Sequence, residues 1–201
     1  VMSFYRAAVK NKRKLVIDTR FAYILDQLQD KVDLPDPRTD PHLRVYYRLA
    51  KSRKDGSVGF DKMSYSPWER EYMDNMVTYE DLSKKGSDYV MHIGFYKLME
   101  LVYIQPKNGA FIYSQSEHFL EGEDNEDEKR VLENWLRHFG IHTIHKAHCS
   151  GHASKKDLFE VIKTVNPKIL IPVHTGEAHV REFSKAHPNV LFPQKGKSIE
   201  L

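Results

Sequence analysis

Phe21, Ala22, Ile24, Leu25 and Leu28 recur with helical period among polar neighbours, so Arg20 to Lys31 is predicted as an amphipathic helix. The β-branched run just before it, Lys14 to Thr19, suits a buried strand, and Ser3 to Lys12 suits a preceding helix. Strands are predicted over Leu43 to Leu49, near Asp88 to Ile93 and over Ala110 to Ser114, with helices over Trp68 to Leu82 and Phe95 to Tyr103. Asp33 to Pro41 carries Pro35, Pro37 and Pro41 and reads as a connector, Lys51 to Gly59 as an exposed loop, and Pro106 to Gly109 as a turn.

The last third is more regular. Val131, Leu132, Trp135, Leu136 and Phe139 share one face of a helix over Glu126 to Phe139, which Gly140 is placed to end. A strand follows over Ile141 to Cys149, then a helix over Ser154 to Val165, a strand over Lys168 to His174 and a helix from about Glu177 to Ala186. Short strands near Val190 and Ile199 finish the chain. Helices alternating with strands predict an α/β fold with a mainly parallel sheet, and no internal repeat is evident.

Composition narrows the class. The 201 residues suffice for one large domain or two small ones, and 40% hydrophobic with 29% charged residues is ordinary for a soluble globular protein. No apolar run approaches the roughly 20 residues of a membrane span, and the first residues lack the layout of a signal peptide, so a soluble cytoplasmic protein with no membrane association is expected. One cysteine, Cys149, excludes an internal disulfide and is expected to be a small buried hydrophobe. With 31 Lys plus Arg against 28 Asp plus Glu, net charge does not by itself establish nucleic-acid binding. Two basic groups, Lys10, Lys12, Arg13 and Lys14, and Lys51, Arg53 and Lys54, would contact phosphates only if they line a cleft. The acidic run from Glu121 to Glu128 departs from calcium-loop spacing and reads as a surface loop entering a helix.

Candidate chemistry concentrates at two junctions. In His148-Cys149-Ser150-Gly151-His152-Ala153-Ser154, two histidines flank a Ser-Gly turn that leads into a helix. Ser154 and Asp157 have capping-box spacing, which fixes the helix start. The free amides and positive dipole end of that helix would face the turn, and an anion such as phosphate is the expected guest. Imidazoles there can donate hydrogen bonds to it or pass a proton to a leaving oxygen near neutral pH. At the second junction, Asn166-Pro167-Lys168 opens a strand that delivers His174 at its carboxyl end, the edge where open α/β sheets commonly bind ligands. His142 and His145 are expected to be structural.

The run His-x-Ser-Gly-His-Ala-Ser, followed by Asn-Pro-Lys and Pro-Val-His, resembles the C-terminal signature of the β-CASP nucleases, ribonucleases of the metallo-β-lactamase class that include RNase J and its archaeal relatives. His174 lies 22 residues after His152, which suits the second and third β-CASP motifs. Less specifically, Ser-Phe-Tyr-Arg-Ala-Ala, Lys-Leu-Val-Ile-Asp and Phe-Ile-Tyr-Ser resemble the inserted β-CASP domain. The resemblance implies a β-CASP-like domain over residues 1–141 and, over 142–201, the C-terminal part of a metallo-β-lactamase αββα fold. It implies hydrolysis of RNA phosphodiester bonds with two zinc ions. His174 is then a metal ligand, His152 the residue that contacts the scissile phosphate and protonates the leaving group, and His148, Ser150, Gly151 and Ser154 hold substrate phosphate.

Two departures qualify this picture. Thr175-Gly176-Glu177 follows the third histidine where the family has Gly-Glu or Thr-Glu, leaving Glu177 without an assigned role. No His-x-His-x-Asp-His run occurs, although a zinc site needs about four ligands. The chain is therefore expected to be incomplete, to hold zinc weakly and to be inactive alone, its partners being RNA, the metallo-β-lactamase half in the same or another chain, and a second copy if it dimerises. The alternative is a noncatalytic RNA-binding or assembly module that keeps the phosphate-binding turn. A hydrolase of small phosphorylated molecules is a weaker third reading.

Overall fold

The computed structural model describes residues 1–52, 55–114, 126–147, 153–173, 175–176 and 179–198. They fall into two compact units, 1–113 with 126–147, and the residues from 153 onward. The strands are β1 (Lys14–Asp18), β2 (Leu43–Tyr46), β3 (Ala50–Lys51), β4 (Val58–Gly59), β5 (Met76–Val77), β6 (Tyr89–Met91), β7 (Ala110–Tyr113) and β8 (Thr143–Lys146). The α-helices are α1 (Met2–Lys10), α2 (Thr19–Gln27), α3 (Tyr79–Lys85), α4 (Leu101–Ile104), α5 (Glu126–His138), α6 (Lys155–Val165) and α7 (Val180–Ala186). The α/β class with a parallel sheet is present as the alternation of elements predicts.

The first unit is organised by a four-stranded parallel sheet of order β5-β2-β1-β6. β1 is central, and its Leu15, Val16 and Ile17 are all buried, because a parallel strand covered on both faces has no polar side to show water. Alternation then sorts them. Leu15 and Ile17 pack with Ala8 of α1, Ala22 and Leu25 of α2, and Leu43 and Val45 of β2. Val16 faces the opposite way, into Tyr46, Val77, Leu82 of α3 and Ile104 of α4. Helices therefore cover both faces, and the chain builds outward from β1 through β2 to β5 before returning to the other side of β1 as β6. In open α/β sheets such a reversal marks a crevice at the carboxyl ends of the two central strands.

β7 and β8 form a separate parallel pair, with Phe111 opposite Ile144. Beneath it Leu98, Leu101, Tyr113, Leu132, Leu136 and Ile141 make a third cluster, so α5 buries Leu132 and Leu136 while Val131 stays exposed. Gly140 ends the chain's passage out of α5 at φ +67, a left-handed conformation that glycine adopts without steric cost.

Several elements differ from the sequence expectation. The predicted Trp68 to Leu82 helix is broken into a 3-10 segment Glu69–Asn75, strand β5 and helix α3. Asn75 is the cause. Its amide nitrogen donates to the carbonyls of Pro37 (3.2 Å) and Asp40 (3.1 Å) and its oxygen accepts from Arg44 (2.6 Å), which pins the chain beside β2 and lets Met76 and Val77 join the sheet. Thr78 and Asp81 then restart the helix with a capping box. The expected loop over Lys51 to Gly59 carries an antiparallel pair, β3 with β4. Phe95–Glu100 is 3-10 before α4 begins, and α2 stops at Gln27.

In the second unit, α6 and α7 stand where helices are predicted, but the described part of the Lys168 to His174 strand, residues 168–173, yields one bridge, Leu170 to Val190, in place of a strand. Pro167 and Pro172 supply no backbone donors, which removes rungs from any ladder there. Asn189 closes the bridge, donating from its side chain to the Lys168 carbonyl at 2.8 Å. Among the described residues no helix is long and apolar enough to cross a membrane.

Candidate functional site

The sequence places the anion site at the start of α6, and the described part of it is the cap. Ser154 is extended at φ −63 and ψ 159, the conformation of an N-cap. Its hydroxyl donates to the Asp157 carboxylate at 2.7 Å and accepts from the Asp157 amide at 3.2 Å, while its own amide donates back at 3.3 Å. The capping box thus fixes where α6 begins and spends the Ser154 hydroxyl proton internally. A phosphate at this end would be met by Ser154 only after that hydroxyl turned away from Asp157.

Around the cap lies a charged cluster. Lys155 is ion-paired with Glu182 of α7 and its ammonium lies 5.8 Å from the Phe159 ring centre. His179 approaches Glu182 at 3.4 Å, and Lys155 first, then His179, hold the Glu182 carboxyl below the usual carboxylate range. Lys155, Phe159 and Glu182, with Lys185 and Ala186, border a shallow open depression. His148, Ser150, Gly151, His152 and His174 lie outside the described residues, as do Cys149 and Glu177, so Ser154 is the described member of the expected set. His142 and His145 are exposed in the first unit. Among the described residues no group of three or more His, Cys, Asp or Glu side chains could hold a metal ion.

A second set of polar groups meets at the carboxyl edge of the four-stranded sheet, and no local pattern points to it because its members are far apart in the chain. Asp18 ends β1 and caps α2, accepting from the Phe21 amide at 2.7 Å, and its other oxygen accepts from Lys97 at 2.6 Å. His92, just past β6, lies against Phe21 with ring centres 5.2 Å apart. Loss of solvent contact would raise the Asp18 carboxyl, but Lys97 and the Phe21 amide outweigh it and hold the group below its ordinary value. Loss of solvent contact also pushes the His92 imidazole down, against the pull of Asp18.

Because both groups are depressed, the folded protein binds fewer protons than the unfolded chain and stability rises with pH. The His92 contribution is complete above about pH 6.5 and is lost as pH falls through its lowered folded value. That of Asp18 is complete above about pH 3.9 and is lost at lower pH still. The urea midpoint of the wild-type protein is expected to fall more steeply between about pH 7 and pH 5 than that of His92→Gln. Parallel curves for the two proteins would remove His92 as the source.

Comparison with known proteins bears on the second unit and its approach. A family model described as the Zn-dependent metallo-hydrolase RNA specificity domain matches residues 140–187. Ribonuclease J of Pyrococcus abyssi (strain GE5 / Orsay) is 40% identical over 50 residues, a stretch covering 25% of this chain and 11% of that relative's length. No solved structure matches. The match spans α6, its cap and the whole His148 to His174 segment. Residues 140–187 are thus similar to the RNA specificity domain of Zn-dependent metallo-hydrolases, and a 50-residue stretch of the chain is similar to a Ribonuclease J of which it spans about a tenth.

Proposed function

We propose that this chain is part of a metal-dependent ribonuclease that hydrolyses RNA phosphodiester bonds in the cytoplasm, with residues 1–141 as a β-CASP-like domain and 142–201 as the returning part of a metallo-β-lactamase-like domain. The observation that carries the reading is the match of the RNA specificity domain across residues 140–187, which contain the Ser-Gly-His sequence and the capped helix α6 after it. In this reading His148, Ser150, Gly151 and Ser154 bind the substrate phosphate, the amides at the start of α6 adding fixed positive potential. His152 contacts the scissile phosphate and gives its proton to the leaving oxygen. His174 is one ligand of a zinc site whose other ligands come from sequence beyond these 201 residues or from another chain. Zinc, when bound there, supplies an activated water and neutralises charge on the phosphate oxygens.

Single-turnover cleavage of an end-labelled RNA tests this directly. The 201-residue chain alone is expected to give no cleavage, and the same chain joined to a half that bears the His-x-His-x-Asp-His ligands is expected to cleave when zinc is added. Full cleavage by the chain alone would overturn the need for outside ligands. RNA binding without cleavage by the joined protein would instead establish the noncatalytic module.

A further inference from the structure

We propose that Asn108 is a site of spontaneous chemical modification, its side-chain amide being lost to leave aspartyl and isoaspartyl forms in the turn that feeds β7. Asn108 is the one asparagine of the chain followed by glycine, and the missing Cβ of Gly109 leaves the Gly109 nitrogen open to the side chain before it. Asn108 is exposed and left-handed at φ 56. That backbone region crowds the Cβ of an L-residue against the following carbonyl, so little is lost when Asn108 turns out of it and brings Cγ to the nitrogen. Among the described residues, neither the Asn108 side chain nor the Gly109 amide makes a hydrogen bond that would resist the movement.

The step balances with water and base alone. The Gly109 nitrogen gives its proton to base and bonds to Asn108 Cγ, the Cγ–Nδ2 bond breaks, and ammonia leaves after taking a proton from solvent. Water then opens the cyclic imide, adding at Cγ to give aspartate or at the main-chain carbonyl to give isoaspartate. Asp55–Gly56 has the same small second residue and the opposite surroundings. There the Gly56 amide donates to the Ser52 carbonyl at 3.1 Å, and the Asp55 carboxylate accepts from the Ser57 hydroxyl at 2.7 Å and the Ser57 amide at 3.0 Å. Those bonds hold the Asp55 carboxyl down at about 2, and an ionised carboxylate is a poor target for a nucleophile whose proton is already engaged. Asn11, Asn75 and Asn189 donate their side-chain amides to backbone carbonyls, and Asn166 precedes Pro167, which has no N–H to lose.

The product acts on β7 through what Gly109 abuts. A Cβ built on Gly109 would lie 3.5 Å from Cγ1 of Ile141, which is buried in the cluster beneath β7 and β8. An isoaspartyl link adds a carbon to the main chain beside that contact, so the start of β7 shifts against Ile141 and the cluster loosens.

The full chain is held in warm, mildly alkaline buffer, and the peptide bearing Asn108 is followed by mass and by chromatography that separates its aspartyl and isoaspartyl forms. Ammonia loss is expected there before any other asparagine, at a rate of the same order as in urea. Gly109→Ala is expected to slow it by about tenfold or more, because the new Cβ shields the nitrogen. That variant keeps the fold, since its Cβ meets Ile141 at ordinary contact distance and Gly109 has no positive φ. Asn108→Gln is expected to abolish the reaction at this position, the longer side chain having to close a larger ring. Aged wild-type protein is expected to unfold at lower urea than fresh protein, and aged Gly109→Ala is not. An Asn108 peptide that stays intact while other asparagines convert, a folded rate far below that in urea, or conversion of Gly109→Ala as fast as wild type would each overturn the proposal. Equal urea midpoints for fresh and fully converted protein would overturn the effect on β7.

Discussion

His152→Ala, made in the chain joined to a half that bears the His-x-His-x-Asp-His ligands, is expected to lower the single-turnover rate of RNA cleavage by about two orders of magnitude or more while leaving metal content unchanged, the scale on which loss of a positioned general acid is felt. The expectation follows from the place of His152 in the matched segment, two residues before the N-cap of α6. In the proposed reading this histidine is the proton donor to the leaving oxygen, a role open to an imidazole near neutral pH. His174→Ala is expected to behave differently, because a zinc ligand removed from a set of about four lowers occupancy and rate together. Metal analysis on the same preparations used for kinetics separates the two. Wild-type turnover in the His152 variant would remove it from proton transfer, and full zinc retention in the His174 variant would remove that residue from the metal site.

The second large effect concerns the sheet. Leu43→Ala is expected to destabilise the first unit by about 2–5 kcal/mol, since the side chain is fully buried between β1 and the helices and its loss leaves a cavity there. Leu43 pairs in register with Leu15 and is packed in the same cluster as Ala22, Leu25 and Tyr47, so the space cannot be filled by a side chain turning in from solvent. Ile24→Ala in α2, at a position 43% exposed in the same unit, is the control and is expected to cost less than about 1 kcal/mol. Both tryptophans, Trp68 and Trp135, belong to the first unit, so fluorescence during urea unfolding reports on the unit that Leu43 supports. A loss below about 1 kcal/mol for Leu43→Ala would show that the sheet core relaxes around the gap.

Local signals were legible wherever the physics is local. The start of α6 follows from Ser154 and Asp157, three residues apart, because a capping box is completed by groups within one turn. The buried faces of α2 and α5 follow from periodicity, though only in part: Ala22 and Leu25 are buried, while Ile24 and Leu28 of the same predicted face are exposed. β1 could be read from its run of apolar residues, since a strand at the centre of a parallel sheet needs no polar side. The segment from His148 to His174 was legible as a resemblance because its spacing lies in the sequence itself, and the RNA specificity domain matches across it.

What the chain alone determined, then, is the alternation of helices and strands, the capped helix that starts at Ser154 and the similarity carried by residues 140–187. Tertiary contacts decided the rest. Met76 and Val77 became a strand because Asn75 bonds to the carbonyls of Pro37 and Asp40, 38 and 35 residues away, and no periodicity records such a tether. The edge where Asp18 meets Lys97 joins residues 79 apart, brought together only when β6 pairs beside β1 after the chain has passed through β2 and β5. Strand order is set by which apolar faces can be covered at once by helices on both sides, a condition on the whole sheet that no short stretch of sequence expresses.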